Sequence, residues 1–462
     1  MSVGTRLRAA LRIPPYKFQV RNVRHIEAAG GRGMILDEPG MGKTLCAAGW
    51  MAIHPEARPG LIICPAPIKE QWRRALRDLA GIRAQVLSGR APRPIRAPVA
   101  IINYEVLHSW REALRAWGPR VVVIDEMHRI KSRRAKCTRA AGHVCGRAPH
   151  VIALSGTPID NCPAEFFPTL KIVRPDLFQT WFEFAQRYCD PKRGWGGRFD
   201  YSGASNLGEL RRRIAPFAIR NRKRDVLREL PAKQRIVVPV EIDNRRSYEH
   251  ARDDFLAWTE EFEGRAAAMR AAGAVALTRM SRLLRLCAAG KLPAARAWME
   301  DWLEESPGKL VVFAIHREVL DRLKEWFPDA AEVRGGVTGR RRQREVDRFC
   351  SSKRCRIMLA NIRAGGVGLD GLQRVSSTTL TLELAWNEAA HRQAEDRVNR
   401  PGQRLPCDNY YLLGRDTIEE WLLGVLERKQ VAVDEILEGR EAAMSAASLL
   451  EMFSAAQKAG EL

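Results

Sequence analysis

The sequence contains no Cys-x-x-Cys pair and no apolar run long enough to span a bilayer. Its ten cysteines are scattered over 462 residues, which is typical of free thiols in a reducing compartment. The cluster of Cys137, His143 and Cys145 lacks both the spacing of a zinc knuckle and a second pair of ligands. We therefore expect no structural zinc.

The N-terminus is basic but has neither a long apolar core nor a cleavage site, so it does not resemble a signal peptide. We expect a cytoplasmic protein with no membrane partner. It would be associated with the nucleoid or, if the gene is carried by a phage, located in the host cytoplasm.

Acidic residues are in the minority. The chain has 54 Asp and Glu against 77 Lys and Arg, with a net charge of +23. A basic surface that keeps the protein soluble is the simpler interpretation, but a balance this strong favours a nucleic-acid partner. Charge does not distinguish DNA from RNA. The length predicts two or three domains.

The stretch Met34–Thr44, MILDEPGMGKT, has the order of a strand, a glycine-rich loop and a helix start. Gly40 and Gly42 would let main-chain N–H groups approach phosphates closely. Lys43 would reach the β- and γ-phosphates, and the Thr44 hydroxyl would hold Mg²⁺. The alternative is a strand-to-helix turn without a ligand.

Three further residues of this stretch, Asp37, Glu38 and Met41, belong to the candidate nucleotide site, although Asp37 stands where the general pattern has a glycine. An aromatic residue precedes Gln19, about 24 residues before the loop lysine. The Gln19 amide offers a donor and an acceptor to the adenine edge. A glutamine on a surface turn is the alternative.

Short apolar runs alternate with helical patterns along both halves of the chain. The clearest runs are Leu61–Cys64, Val99–Asn103, Val121–Ile124, Val151–Leu154, Lys309–Ala314, Ile357–Ala360 and Thr378–Leu384. They predict an α/β fold in which two domains each have a largely parallel sheet.

Two adjacent carboxylates, Asp125 and Glu126, follow the apolar run Val121–Ile124. Two carboxylates at the end of a buried strand cost free energy unless they bind a partner or a ligand. The carboxyl edge of the sheet is also where α/β proteins bind their ligands. Asp125 would hold Mg²⁺, and Glu126 would position and deprotonate the attacking water. A solvated acidic turn is the alternative.

The segment Gln393–Gln403, QAEDRVNRPGQ, carries Arg397 and Arg400 three residues apart. We expect a helix over Ala389–Asn399, which would put both guanidiniums on one face. They could then reach a γ-phosphate bound on the other domain and stabilise the transition state. A surface helix with its arginines paired to neighbouring acids is the alternative.

The segments DEPGMGKT, CPAPIKEQW, DEMH, SGTP and QAEDRVNRPGQ, in this order, resemble superfamily-two helicases. Within them the chain is most similar to Swi/Snf-type DNA translocases, and in particular to the compact annealing-helicase (HARP-like) group. These proteins have Asp-Glu in the phosphate loop, which accounts for Asp37. Departures from the family pattern are Asn221 for an arginine, Asn399 for a histidine and Pro401 for an aliphatic residue.

The resemblance implies two RecA-like lobes with ATP in the cleft between them and helical insertions between the lobes. The expected divisions are lobe 1 at 1–220, a helical linker at 221–300, lobe 2 at 301–440 and a helical tail at 441–462.

The resemblance also assigns roles by motif. Residues expected to couple hydrolysis to movement are His128, Ser155, Gly156, Thr157, Gly366 and Gly368. Residues expected to contact nucleic acid are Pro65, Lys69, Arg363 and Trp386. Gln393 joins the catalytic set with Glu126 and the two arginines.

These expectations describe a DNA-dependent ATPase that uses ATP and Mg²⁺ to move on, remodel or rewind duplex or forked DNA. A strand-separating DNA or RNA helicase is one alternative. Another is an ATP-switched DNA-binding subunit of a nuclease or restriction complex, which would require a protein partner.

Overall fold

The computed structural model describes residues 1–156, 162–193, 199–201, 203–260, 273–335, 339–362 and 369–426. The described residues form two compact units. The first comprises Met1–Lys192 and Phe199–Arg228, and the second is formed mainly by the chain from Glu229 onward. Among our predicted site residues, Thr157, Arg363, Gly366 and Gly368 lie outside the described ranges, as does the tail at 441–462.

The first unit contains a parallel seven-stranded sheet in the order β3-β4-β2-β5-β6-β1-β9. Its strands are β1 (Arg32–Ile35), β2 (Gly60–Cys64), β3 (Ala84–Val86), β4 (Val99–Asn103), β5 (Val121–Asp125), β6 (His150–Leu154) and β9 (Ala218–Ile219). Two further short strands are β7 (Lys192–Arg193) and β8 (Phe199–Asp200).

The helices up to Arg228 are α1 (Val3–Ala10), α2 (Lys17–Ala28), α3 (Lys43–Ile53), α4 (Lys69–Ala80), α5 (Tyr104–Trp117), α6 (Lys136–Cys145), α7 (Phe167–Val173), α8 (Trp181–Tyr188), α9 (Leu207–Ile214) and α10 (Lys223–Val226). Strands β2, β4 and β5 are buried along their whole length. They are uniformly apolar because helices cover both faces of a parallel sheet.

The strand order determines where the first unit can carry chemistry. Strands β5, β6 and β1 are neighbours and run parallel. Their carboxyl ends therefore meet at one edge of the sheet, where α/β folds place ligands. The ends of these strands lead into the DEMH, SGTP and DEPGMGKT segments respectively.

The second unit has a parallel six-stranded sheet in the order β10-β15-β14-β11-β13-β12. Its strands are β10 (Lys233–Val240), β11 (Leu310–Ala314), β12 (Ala331–Val333), β13 (Ile357–Asn361), β14 (Thr378–Thr381) and β15 (Cys407–Gly414). Its helices are α11 (Arg245–Glu260), α12 (Gly273–Gly290), α13 (Leu292–Glu305), α14 (Arg317–Trp326), α15 (Gly339–Ser351) and α16 (Glu388–Glu395).

The two parallel sheets with flanking helices confirm the predicted α/β class with two RecA-like lobes. The range 221–300, which we expected to be a helical linker, also contains a strand. That strand, β10, is the edge of the second sheet. Each residue of its sequence, KQRIVVPV, is exposed or partly buried and none is fully buried, as expected for a strand at the edge of a sheet.

A buried ion pair joins the junction between α12 and α13 to the segment that follows β15. The Lys291 ammonium donates to both carboxylate oxygens of Glu419, at 2.8 and 2.7 Å, and both side chains are at most 2% exposed. The same ammonium donates to the carbonyls of Leu382 and Leu412 at 2.6 and 2.7 Å. Glu419 also accepts the main-chain N–H of Gly414. Every charge is therefore compensated, as burial requires.

Replacing Lys291 by methionine should leave the Glu419 carboxylate buried without its counter-ion. We expect a loss of about 3–5 kcal/mol of stability in the second unit, measured as a lower urea midpoint. Lys291→Met combined with Glu419→Gln should recover part of this loss. An unchanged midpoint for the single variant would contradict the assigned role of the pair.

Candidate active site

The phosphate loop connects β1 to α3 at the ligand edge of the first sheet. Gly40 and Gly42 have φ angles of 82° and 77°, a conformation that favours glycine. A Cβ at Gly42 would lie 2.5 Å from Gln19 Nε2, so a larger residue would displace the Gln19 amide and strain the backbone. Helix α3 begins at Lys43, with Thr44 in its first turn. The predicted strand, loop and helix are therefore present, with N-terminal N–H groups at the end of the loop.

The lysine of the loop bonds to the loop's own main chain. Lys43 Nζ donates to the main-chain carbonyls of Asp37 and Glu38 at 2.6 and 3.1 Å. Met41 in the same loop is buried. Lys43 therefore braces the turn, and an ammonium with three N–H groups can contact a phosphate as well.

The Asp37 carboxylate is completely buried and is held by two asparagines. Asn22 Nδ2 donates to Oδ2 at 2.6 Å. The main-chain N–H and Nδ2 of Asn221 donate to Oδ1 at 2.8 and 2.7 Å. Burial raises the pKa of Asp37, whereas Lys43 and the amide donors oppose that rise. This environment explains why an acid can stand where the general pattern has glycine.

Gln19 lies beside the loop, and its side chain is buried. Its Nε2 donates to the carbonyl of Met41 at 3.0 Å, and its Oε1 accepts the main-chain N–H of Tyr16 at 3.0 Å. A primary amide has two N–H groups and two acceptor lone pairs. One of each therefore remains beyond these two hydrogen bonds.

Asp125 lies at the end of β5, and its carboxylate is held in a fixed orientation. Its Oδ2 accepts the indole N–H of Trp72 at 2.7 Å, and its Oδ1 accepts the main-chain N–H of Glu126 at 3.0 Å. The Tyr104 hydroxyl donates to the Asp125 carbonyl at 2.5 Å. Burial, and then the neighbouring charge of Glu126, raise the pKa of Asp125 to about 7.

Glu126 adopts a left-handed backbone conformation with φ 52°, which is uncommon for a residue with a side chain. Such strain is often found at functional positions. Within the described part of the chain, its Oε2 is buried but has no hydrogen-bond partner. That oxygen lies 3.5 Å from His128 Nδ1, and the same nitrogen lies 3.4 Å from Ser155 Oγ.

Glu126, His128 and Ser155 therefore form a row that joins the ends of β5 and β6. Gly156, next along the chain, lies close to the loop. A Cβ there would be 2.8 Å from Pro39 Cγ. The sequence predicted each of these residues separately, and the fold brings them together.

The chemistry of this edge fits a magnesium nucleotide. Thr44 and Asp125 supply the hydroxyl and carboxylate oxygens that Mg²⁺ prefers. The loop offers main-chain N–H groups, and Glu126 has an acceptor oxygen without a donor. When bound, the metal ion would neutralise charge on the phosphates.

In the second unit, the predicted helix over Ala389–Asn399 is wrong at its C-terminal end, because α16 ends at Glu395. The Arg397 and Val398 N–H groups bond to carbonyls three residues back instead of four, so the helix tightens into a turn. Arg397 and Arg400 consequently do not share a helix face. They lie on the turn that follows the helix.

The turn places the two arginines in different surroundings. Arg397 is buried. Arg400 Nε donates to the carbonyl of Asp396 at 2.7 Å, and its guanidinium pairs with Asp370. Gln393, on the last turn of α16, is partly exposed. The last turn and the following residues are thus fixed by a guanidinium that caps a free carbonyl.

Two acids of this segment pair with the edge strand β10. Lys233 Nζ donates to Glu395 Oε2 at 3.0 Å and to Asp396 Oδ1 at 3.2 Å. Arg235 Nε donates to Glu395 Oε1 at 2.5 Å, and its guanidinium also pairs with Glu388. The three acids are buried. The alternative of a surface helix whose arginines pair with these neighbouring acids does not describe this segment, because the acids pair with Lys233 and Arg235 of β10.

The described residues that we predicted to contact nucleic acid are buried, partly buried or already bonded within the protein. Lys69 Nζ donates to the carbonyl of Leu87 at 2.8 Å and to Asn103 Oδ1 at 2.7 Å, and burial lowers its pKa. Pro65 is buried at the end of β2. Trp386 packs partly against the core of the second unit.

Sequence analysis missed Asn22, Trp72 and Tyr104 as supports of the site. Trp72 is the last residue of the CPAPIKEQW string, so its position in a family motif was a usable signal. Asn22 and Tyr104 carried no such signal, because their role depends on which residues the fold brings beside them.

In the described residues, no helix is long and apolar enough to cross a membrane. No group of three or more His, Cys, Asp or Glu side chains in those residues is arranged to hold a metal ion by itself.

The phosphate loop, the strand-end acid pair and the two parallel-sheet lobes define a two-lobed nucleotide-binding core of the RecA-like type. The SNF2-related domain model matches residues 17–289, more than half of the chain. The chain therefore belongs to the SNF2-related family, which confirms the resemblance to Swi/Snf-type proteins.

Curated relatives match over most of the chain. The DNA annealing helicase and endonuclease ZRANB3 of Bos taurus is 28% identical over 453 residues, covering 94% of this chain and 42% of that protein. The SWI/SNF-related matrix-associated actin-dependent regulator of chromatin subfamily A-like protein 1 of Xenopus tropicalis is 31% identical over 429 residues, covering 89% and 44%. The chain thus spans less than half the length of these relatives.

Among solved structures, the SWI2/SNF2 ATPase core of Sulfolobus solfataricus in complex with dsDNA is similar to this chain. The TM-score is 0.45, with 19% sequence identity and coverage of 93% of this chain and 94% of that one.

Glu126→Gln should leave nucleotide binding intact, because the amide keeps the size of the side chain. It removes the proton acceptor, so we expect the ATPase kcat to fall about 10²–10⁴-fold. A fluorescent ATP analogue would measure affinity, and phosphate release would measure turnover. Glu112→Gln, the same change at an exposed position of α5, is the control. Parental turnover in Glu126→Gln would remove this residue from the general-base role.

Proposed function

We propose that this chain is a DNA translocase driven by ATP and Mg²⁺ that moves on or remodels duplex or forked DNA, including by rewinding it. The observation that carries the proposal is the acid pair at the end of β5. Asp125 is held by Trp72 and by the backbone, and Glu126 presents a buried oxygen without a hydrogen-bond donor. Both lie on the sheet edge that carries the phosphate loop.

Residue roles follow from these contacts. Gln19 would use its remaining N–H and lone pair to bind the adenine edge. The N–H groups of the loop Asp37–Thr44, which includes Glu38, would bind the phosphates, with Lys43 reaching the β- and γ-phosphates. Thr44 and Asp125 would hold Mg²⁺.

Glu126 would accept a proton from the attacking water. Its Oε2 lies 3.5 Å from His128 Nδ1, so a movement of the segment that carries His128 would change the surroundings of this proton acceptor. His128, Ser155 and Gly156 would pass changes at the site to the ends of β5 and β6. Thr157, Gly366 and Gly368 are proposed for the same coupling role by motif alone.

Arg397 and Arg400 would stabilise the charge that develops on the γ-phosphate, with Gln393 in the same catalytic segment. Guanidiniums placed in this way contribute about 10³–10⁵ in rate in other phosphoryl-transfer enzymes. They belong to the second unit, so hydrolysis would require that unit to approach the nucleotide, and this requirement would convert chemistry into movement.

DNA as the partner is supported by the net charge of +23 and by family membership. The names of two relatives refer to DNA annealing and to chromatin. The division into lobe 1 at 1–220, a linker at 221–300, lobe 2 at 301–440 and a tail at 441–462 remains part of the proposal. Pro65, Lys69, Arg363 and Trp386 remain candidate contacts to nucleic acid.

The decisive experiment measures steady-state ATPase rates without polymer and with single-stranded DNA, duplex DNA, forked DNA or RNA, at one fixed salt concentration because binding to polyanions depends on salt. We expect stimulation by duplex or forked DNA. Lys43→Ala should abolish activity with every polymer, because the phosphates lose their counter-charge, and thereby excludes a contaminating ATPase.

Stimulation only by single strands or RNA would contradict the proposal in favour of a strand-separating helicase. Absence of stimulation by every polymer would contradict it in favour of an ATP-switched subunit that needs a protein partner.

A further inference from the structure

The chain that leaves the first unit runs alongside the strand that enters the phosphate loop. Strand β9 pairs in parallel with β1, and the Leu36 N–H donates to the Ile219 carbonyl at 2.8 Å. Beyond the sheet, the Glu38 N–H donates to the Asn221 carbonyl at 3.3 Å, and the Lys223 N–H donates to Glu38 Oε2 at 2.7 Å. We call residues 218–235 the exit segment. Its first residues stay hydrogen-bonded to β1 and then to the phosphate loop.

Asn221 is the residue at which this pairing reaches the buried acid of the loop. It binds the Asp37 carboxylate through both its main chain and its side chain, and its Nδ2 also donates to Asn22 Oδ1 at 2.8 Å. Arg21 donates to Asn221 Oδ1. A buried carboxylate with several donors is expensive to uncover, so the exit segment and the loop should move together.

Nucleotide binding would alter the same stretch of backbone. Lys43 Nζ is bonded to the carbonyls of Asp37 and Glu38, and the proposed function takes this ammonium to the phosphates. An ammonium has three N–H groups, so Lys43 can contact a phosphate while it stays bonded to these two carbonyls. A pull on the ammonium would then pass to Asp37 and Glu38, which are the residues bonded to Asn221 and Lys223.

The far end of the exit segment is fixed to the second unit. Residues 233–240 form β10, which pairs with β15. Lys233 bonds to Glu395 and Asp396, and Arg235 bonds to Glu395. Asp396 directly precedes Arg397, and its carbonyl accepts Arg400 Nε. A displacement of β10 would therefore reach Asp396, which precedes Arg397 in the chain and binds Arg400.

We propose that residues 221–235 act as a connecting segment that reports the state of the phosphate loop to the arginine-bearing turn. Asn221 and Lys233 are positioning residues at its two ends. The inference rests on the proposed function, because it assigns the route by which nucleotide binding in one unit positions the arginines of the other.

The short length of the link supports this role. Residues 224–232 separate Lys223, held at the loop, from Lys233, held at the acids. A short tether restricts the positions of its ends, whereas a flexible insertion relaxes that restriction. Both sets of anchoring contacts should survive such an insertion, because each lies within its own unit.

The test inserts a Gly-Ser-Gly-Ser linker between Arg228 and Glu229, both exposed. The same linker between Ala91 and Pro92, in an exposed loop of the first unit, is the matched control. We expect the inserted protein to bind the fluorescent ATP analogue with parental affinity. We expect its DNA-stimulated kcat to fall on the order of 10²-fold, the scale of a misplaced catalytic group. The control should keep both values.

A second measurement separates positioning from a merely structural role. Asn221→Ala should lower kcat more than it changes KM in the parental chain. It should lower kcat by a smaller factor in the chain with the 228–229 insertion, where the route is already interrupted and only the support of Asp37 by Asn221 is lost. Lys233→Arg should retain activity, whereas Lys233→Ala should lose it.

Two results would overturn the role proposed for the connecting segment while leaving the proposed ATPase intact. One is a parental kcat in the protein that carries the 228–229 insertion. The other is an equal fall in kcat on Asn221→Ala in the parental and the inserted chains. A parental chain without polymer-stimulated ATPase would instead be a failure of the proposed function.

Discussion

The burial of the Asp37 carboxylate is the constraint on which the candidate site depends. An acid without water must be surrounded by donors, and here Asn22 and Asn221 provide them from two distant parts of the sequence. Meeting that requirement brings α2, the phosphate loop and the exit segment together. The loop is thereby held at the carboxyl edge of the sheet, beside the acid pair at the end of β5.

The second unit also contains buried carboxylates that need partners. Glu388, Glu395 and Asp396 are buried, and their partners are cations on the edge strand β10. Edge strands need cover or charge to remain unpaired with other chains, so the same contacts protect the edge and orient the turn that follows α16. Buried pairs of this kind contribute little net stability but are costly to break, which suits a role in orientation.

Much of this organisation was predictable from local sequence. The apolar runs predicted the central strands because parallel strands buried on both faces are uniformly apolar, and Gly40, Gly42 and Lys43 predicted the loop. The end of α16 was not predictable, because the contacts of its acids with β10 and the pairing of Arg400 with Asp370 are tertiary. Strand β10 itself was missed because its pattern is mixed. Asn22 gave no signal, since its function exists only beside Asp37.

A motor of the proposed kind requires nucleotide binding and DNA binding to be coupled. Coupling free energies are reciprocal, so each ligand must change the affinity of the other by one factor. The most direct measurement is duplex-DNA affinity with and without a non-hydrolysable ATP analogue, together with affinity for the analogue with and without DNA. We predict equal factors of about 5- to 150-fold in the two titrations. Affinities that remain the same in both titrations would contradict the account.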